Sequence, residues 1–279
     1  MCNSLPSGIY WFQAYLRQNA VRGKPVALIA HLSQREGVPP VSTTAALLLI
    51  AHGSSRYPDA AEVVHRHAAA LRAERTFRQV EVGLLNGAPG VAESLARIDA
   101  AQVRVVPFFM EAGYFTQEAI PRALGSDPRV RLCPPVGTHD GMAGLIERQA
   151  LAACEAMGVP SRSAAVLVAG HGSASAPGRT LTLHEHASRV GWTTLFARVE
   201  SACLEEAPFI ADALRGLRRH PVVVIGFFAG DGGHVREDVP TLVAAEQAAR
   251  GQAGPAVRFN GSVTDDPAMV RIILDQAAV

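Results

Sequence analysis

The sequence predicts an internally duplicated α/β fold: two similar three-layer α/β/α halves with parallel sheets. Three observations carry this expectation. Leu48-Leu49-Ile50-Ala51-His52-Gly53-Ser54 returns as Leu167-Val168-Ala169-Gly170-His171-Gly172-Ser173, an offset of 171 − 52 = 119 residues. The offset then holds without a gap through Pro58/Pro177, His65/His184, His67/His186, Pro89/Pro208, Leu95/Leu214, Phe108/Phe227, Glu118/Glu237 and Pro121/Pro240. Chance similarity does not keep register over about seventy positions. Finally, each copy alternates short β-forming apolar runs with helical patterns, as a parallel sheet covered on both faces requires.

The elements follow in the same order in both copies. Ala46–Ala51 and Ala165–Gly170 are short apolar strands ending at His-Gly-Ser. Helices are expected near Ala60–Arg72 and Arg179–Val190, then strands at Val80–Leu85 and Ala197–Leu204. Proline-led helices come next at Pro89–Ile98 and Pro208–Leu217, because proline fits the first helical turn. Strands Val103–Phe109 and Val222–Phe228 precede helices near Glu118–Leu124 and Glu237–Arg250. A weaker strand, Arg129–Leu132 or Ala256–Phe259, and a last helix close each copy. The expected organisation is a leader over residues 1–44, either flexible or packed on one half, a first repeat over 45–157 and a second over 164–279. The linker falls at Gly158–Ser163. The leader holds an aromatic, helix-compatible stretch at Gly8–Gln18.

With 279 residues, 48% of them apolar, the chain can build one large core or two ordinary ones. A formal net charge of +1 gives no electrostatic case for nucleic-acid binding. The four cysteines form no C-x-x-C pair, so no cysteine-based metal site is signalled. No charge-free apolar run of about 18 residues marks a membrane span, and no signal-peptide pattern opens the chain. A soluble cytoplasmic protein is the expectation, as a monomer or a homodimer.

In open parallel sheets, ligands bind beyond the carboxyl ends of the strands. Three such loops per copy carry His52, Asn86 and Phe115 in the first, and His171, Glu205 and His234 in the second. The second set combines two imidazoles with a carboxylate, a donor set suited to cobalt(II), iron(II), nickel(II) or zinc(II). Histidine also takes up protons near neutral pH. Each residue taken alone has a plain structural reading: a hydrogen-bonded strand-end histidine, a solvated first helical turn, a turn residue. Three at corresponding strand ends argue for a site. The glycines of Gly230–Gly233 are read as a loop that closes on a ligand.

The pattern of apolar strand, His-Gly-Ser, a later Leu-Glu before a proline-led helix, and the run from Phe227 through Gly232-Gly233-His234-Val235 to Asp238-Val239-Pro240 resembles the CbiX-type sirohydrochlorin chelatases. The resemblance covers about residues 46–279. It implies a class II chelatase fold, with the two halves facing each other across a central cleft, and ATP-independent insertion of cobalt or iron into sirohydrochlorin or a related tetrapyrrole, serving cobalamin or siroheme synthesis. It places the paired active-site histidines on His171 and His234 and the acidic metal-binding residue on Glu205. No cofactor is implied beyond the divalent metal, itself a substrate (cobalt, iron or nickel). The first copy departs from the pattern at Phe115 and Asn86, and is expected to form the opposite wall of the cleft. Phe108, Phe109, Tyr114 and Phe115 are apolar enough to face a flat macrocycle, with Phe108 and Phe109 favoured as core. His52 and Arg236, with Arg56 and Arg179, are weaker candidates for contacts to substrate. The duplicated pairs His65/His67 and His184/His186 are read as helix-surface residues. Two other classes stay open: a non-catalytic carrier of metal or tetrapyrrole, and a phosphate-binding enzyme, disfavoured because no G-x-G-x-x-G or Walker lysine is present.

Overall fold

The computed structural model of the protein describes residues 44–279 apart from 176, 177 and 179. The leader, with its expected helix, and Arg179 lie outside the described residues. The first copy runs β1 (Ala46–Ala51), α1 (Glu62–Glu74), β2 (Gln79–Leu84), α2 (Val91–Ala96), β3 (Val103–Pro107), α3 (Ile120–Leu124), β4 (Val130–Leu132), α4 (Met142–Ala156). The second runs β5 (Ala165–Gly170), α5 (Leu181–Trp192), β6 (Arg198–Cys203), α6 (Ile210–Gly216), β7 (Val222–Gly226), α7 (Val239–Arg250), β8 (Val257–Ser262), α8 (Met269–Ala278). Both sheets are parallel, ordered β2-β1-β3-β4 and β6-β5-β7-β8. Among the described residues no helix is long and apolar enough to cross a membrane.

β1 and β5 are central strands buried at every residue, which is why their sequences are unbroken apolar runs rather than alternating ones. Their alternate residues still serve different layers. Ala46, Leu48 and Ile50 pack with Val91 and Leu95 of α2 and Ile120 and Leu124 of α3 on the outer face. Leu47, Leu49 and Ala51 face inward and join a core that also contains Val166 and Val168 of β5. That core is common to both copies. It is filled by α1, α4, α5 and α8, which lie between the two sheets.

The helix closing each copy packs on the other copy's sheet. α4 lies on β7 and β8 and beside α5, while α8 lies on β3 and beside α1. Gln149 Nε2 donates to Val263 O (3.4 Å) and Gln276 Nε2 to Pro135 O (2.7 Å) across this exchange. The two copies therefore share one apolar interior.

The His-x-His pairs correct the surface reading. His67 and His186 are only 4% and 2% exposed. Each hydrogen-bonds a backbone carbonyl of the opposite copy: His67 Nε2 to Thr264 O at 2.8 Å, His186 Nε2 to Gly137 O at 2.7 Å. Thr264 and Gly137 are themselves equivalent, because the offset rises to 264 − 137 = 127 once α7, at 12 residues, has outgrown α3, at 5. Residues two apart on a helix point in nearly opposite directions, so His65 and His184 stay half-exposed. His184 Nδ1 pairs with Ser201 Oγ at 2.8 Å.

Candidate active site

Strand order creates the crevice. The chain leaves β5 for α5 on the inner face and β7 for α7 on the outer face. β5 and β7 are neighbours, so the connections diverge between them, at the position where ligands enter open α/β sheets. His171 is the first residue after β5, Glu205 the second after β6, and His234 opens the turn leading into α7. All three sequence-predicted residues come together here.

The rings of His171 and His234 meet edge to face, with centroids 4.4 Å apart and planes at 85°. Glu205 Oε2 lies 3.7 Å from His171 Nδ1. Among the described residues no three His, Cys, Asp or Glu side chains form a ready-made metal cage. The arrangement is an open cluster at the protein surface: the side chains of His171, Glu205 and His234 are 48%, 47% and 37% exposed.

Both rings are anchored through Nδ1. His171 Nδ1 pairs with Gly172 O at 2.9 Å, and His234 Nδ1 with Asp238 Oδ2 at 2.7 Å. Carbonyl and carboxylate oxygens only accept, so each Nδ1 carries a proton, and in the neutral ring Nε2 is the nitrogen that holds the lone pair. Asp238 owes its place to a local irregularity. His234–Asp238 is a π turn, with Val239 N donating to His234 O five residues back. Pro240, at the second position of α7, has no N–H to donate four residues back, and the wider turn relieves that. The same device recurs at Phe115–Ala119 before Pro121. The His234-x-x-x-Asp238-Val239-Pro240 spacing is the sequence signal for this pairing.

The turn after β5 needs its glycine. Gly172 has φ +77°, and a Cβ there would sit 2.7 Å from Cys203 Cβ; Gly53 has φ +73°, and a Cβ would sit 2.2 Å from Asn86 O. Gly53→Ala and Gly172→Ala are each expected to cost about 2 kcal/mol or more, with Gly53→Ala the worse because backbone cannot yield. Denaturant unfolding midpoints check this; unchanged midpoints would refute the turn geometry.

Glu206, adjacent to Glu205, is buried and accepts from Gly178 N (2.7 Å) and from the Thr180 hydroxyl. Burial pushes its carboxyl up, but these hydrogen bonds prevail and hold it below the usual range. Two adjacent glutamates read in sequence as one solvated turn, so nothing there distinguished the buried one. Burial, reinforced by Glu206 and Glu111, drives the nearby Cys203 thiol up to about 12, which leaves it unreactive.

The first copy keeps the geometry without the ligands. His52 and Phe115 meet edge to face at 4.8 Å and 82°, and Phe109 stacks on Phe115 at 5.8 Å as Phe228 stacks on His234 at 6.0 Å. His52 Nδ1 pairs with Gly53 O at 2.7 Å. Phe108 is fully buried and Phe109 packs against the outer core, while Tyr114 and Phe115 are 55% and 40% exposed. Arg236 is not a free cation: its Nη1 donates to Asp59 Oδ2 at 2.8 Å, and this pairing holds the Asp59 carboxyl below its ordinary range. Arg56 is a loose partner of Glu237 at 3.9 Å. Two glycines of the 230–233 loop approach the first copy: a Cβ on Gly230 would lie 2.5 Å from Ala60 O, and one on Gly233 would lie 3.1 Å from the Tyr57 ring.

Known proteins resemble this chain in sequence and fold. DR2241 of Deinococcus radiodurans, a multi-domain protein described as structurally similar to chelatases with two additional novel domains, matches with a TM-score of 0.71 and 26% identity over 85% of this chain; this chain spans 55% of that one. CbiX, described as the terminal enzyme for biosynthesis of siroheme in denitrifying bacteria, matches with a TM-score of 0.65 and 25% identity, covering 83% of this chain and 97% of its own. SirB from Bacillus subtilis, solved with Fe3+, shares the fold at a TM-score of 0.68 and 17% identity over 84% of this chain and 94% of its own. In sequence, a "Probable sirohydrochlorin cobaltochelatase" of Halobacterium salinarum is 26% identical over 267 residues, 84% of this chain and 90% of that protein. The CbiX family model matches twice, over residues 46–153 and 165–278. Both copies of the duplication are thus accounted for, and the chain belongs to the CbiX family.

Proposed function

We propose that this protein inserts cobalt(II) or iron(II) into sirohydrochlorin or a closely related tetrapyrrole without ATP, at one site built on the second copy. The observation that carries this reading is the contact of His171 and His234 at the crevice between β5 and β7, each with Nδ1 engaged and, among the described residues, Nε2 without a hydrogen bond. Metal insertion must strip two N–H protons from the macrocycle and deliver an ion that has shed part of its water. A free imidazole nitrogen can serve either task. His171, with Glu205 beside it, would receive the ion. His234, backed by the negative charge of Asp238, would take a pyrrole proton. Tyr114 and Phe115, exposed where the first copy has lost its ligands, would meet a macrocycle face together with His52.

The test is turnover. Purified protein mixed with sirohydrochlorin and excess cobalt(II) or iron(II) should change the visible spectrum well beyond one equivalent and faster than the protein-free control. A spectral change that stops at one equivalent of protein would overturn catalysis and identify a carrier.

A further inference from the structure

The first copy lacks the ligand residues, yet it grips the turn that carries them. Within the π turn His234–Asp238, Val235 is buried in the outer core of the second copy, and the other two residues reach across to the first. Arg236 Nη1 donates to Asp59 Oδ2 at 2.8 Å, and Tyr57 Oη donates to Glu237 Oε1 at 2.6 Å. Sharing that proton with a carboxylate raises the tyrosine above its ordinary range. The backbone ahead of the turn is seated as well. Gly230 lies so close to Ala60 O that a larger residue there would push the loop away, and a Cβ on Gly233 would press on the Tyr57 ring at 3.1 Å.

The contact is one-sided. Subtracting 119, the first copy has Glu111 and Tyr114 where the second has Gly230 and Gly233, and Gln117 where it has Arg236. Glu111 instead receives Thr182 N and Leu183 N at the start of α5, at 3.2 and 3.1 Å. Among the described residues, only the turn bearing a histidine is fastened by a tyrosine and an aspartate of the other copy.

We propose that Tyr57 and Asp59 are positioning residues for His234, fixing the turn on which the His234–Asp238 pair is built. The inference rests on the reading of His234 as a reacting group. A single exposed ion pair contributes little. Here, however, two polar contacts and two close backbone approaches converge on one short segment, and a displacement of about 1 Å at a reacting group can cost up to about 100-fold in rate.

The test uses the double variant Tyr57→Phe/Asp59→Asn in the full chain, which removes one hydroxyl and one charge with little change of shape. Two readouts are taken: cobalt(II) insertion into sirohydrochlorin, and the ring 15N signals of His234 without metal. Expected are a fall in kcat of about tenfold, a tetrapyrrole KM within about twofold of the parent, and conversion of a single Nδ1–H tautomer of His234 into a mixture. Asp59→Glu, which keeps the charge, should retain most of the rate. A His234 tautomer unchanged in the double variant overturns the proposal, whatever the rate does. Tautomer mixing in a protein whose parent form inserts no metal upholds the positioning role while overturning the chelatase reading.

Discussion

Replacing either His171 or His234 by alanine is expected to lower metal insertion by about 100-fold or more, the usual scale for losing a group that transfers protons or holds a reacting ion. The two residues act on one ion and one macrocycle, so the double variant should be little worse than the worse single variant. The singles should differ in kind. Without His171, the ion loses the ligand beside Glu205, and the defect should ease as metal concentration rises. Without His234, metal excess should not help, because a proton acceptor is missing. Asp238→Asn should fall between, at about tenfold, since an amide can present either an acceptor or a donor to Nδ1 and no longer enforces one tautomer. Initial rates of spectral change over a metal titration decide the matter. Near-parental turnover in both alanine variants would refute the site.

The duplication and the strand ends were legible in sequence because both follow from local pattern. A fixed offset survives divergence, and an unbroken apolar run such as Ala46–Ala51 has few alternatives to a buried parallel strand. His171, Glu205 and His234 could be found because a strand end is a position in sequence as well as in space. What escaped depends on contacts between the copies. Whether α4 covers its own sheet or the other one leaves no trace in its amphipathic pattern, since an apolar stripe does not name its partner. His67 and His186 look like surface histidines until the exchanged helices and the Gly137 and Thr264 carbonyls enclose them. Arg236 reads as a free cation until Asp59, 177 positions away, is placed beside it. The glycines before His234 were recognised as allowing close approach, but the sequence could not say to what.

The buried histidines should dominate stability as the crevice histidines dominate chemistry. In His67→Phe/His186→Phe the rings keep about their volume beside Phe108 and Phe227, but two buried carbonyls lose their donors. An orphaned buried acceptor costs about 1–3 kcal/mol, and two well-separated ones add, for a loss of roughly 2–6 kcal/mol. For a folded region of this size that corresponds to a Tm lower by roughly 5–20 °C. The parent protein should also weaken in mild acid. Burial is the leading cause that holds both histidines below their ordinary range; Arg66 and Arg189 act in the same sense, while Asp265, Asp266, Asp140 and Glu185, with the carbonyl hydrogen bonds, oppose it. In the native protein Nε2–H of His186 serves Gly137 O and the buried Nδ1 has no partner among the described residues, so a second proton would be buried without an acceptor. The unfolded chain takes up these protons near pH 6.5 and the folded chain only at lower pH. Unfolding therefore binds protons in that window, and stability is complete above about pH 6.5 and falls as the pH drops below it. The phenylalanine variant should be less stable at pH 7.5 yet lose less on acidification, keeping only the slope from groups such as His139, which burial also lowers. Denaturant unfolding at pH 7.5 and 5.5 measures both effects. Equal pH slopes in parent and variant would show that these two rings do not carry the acid response.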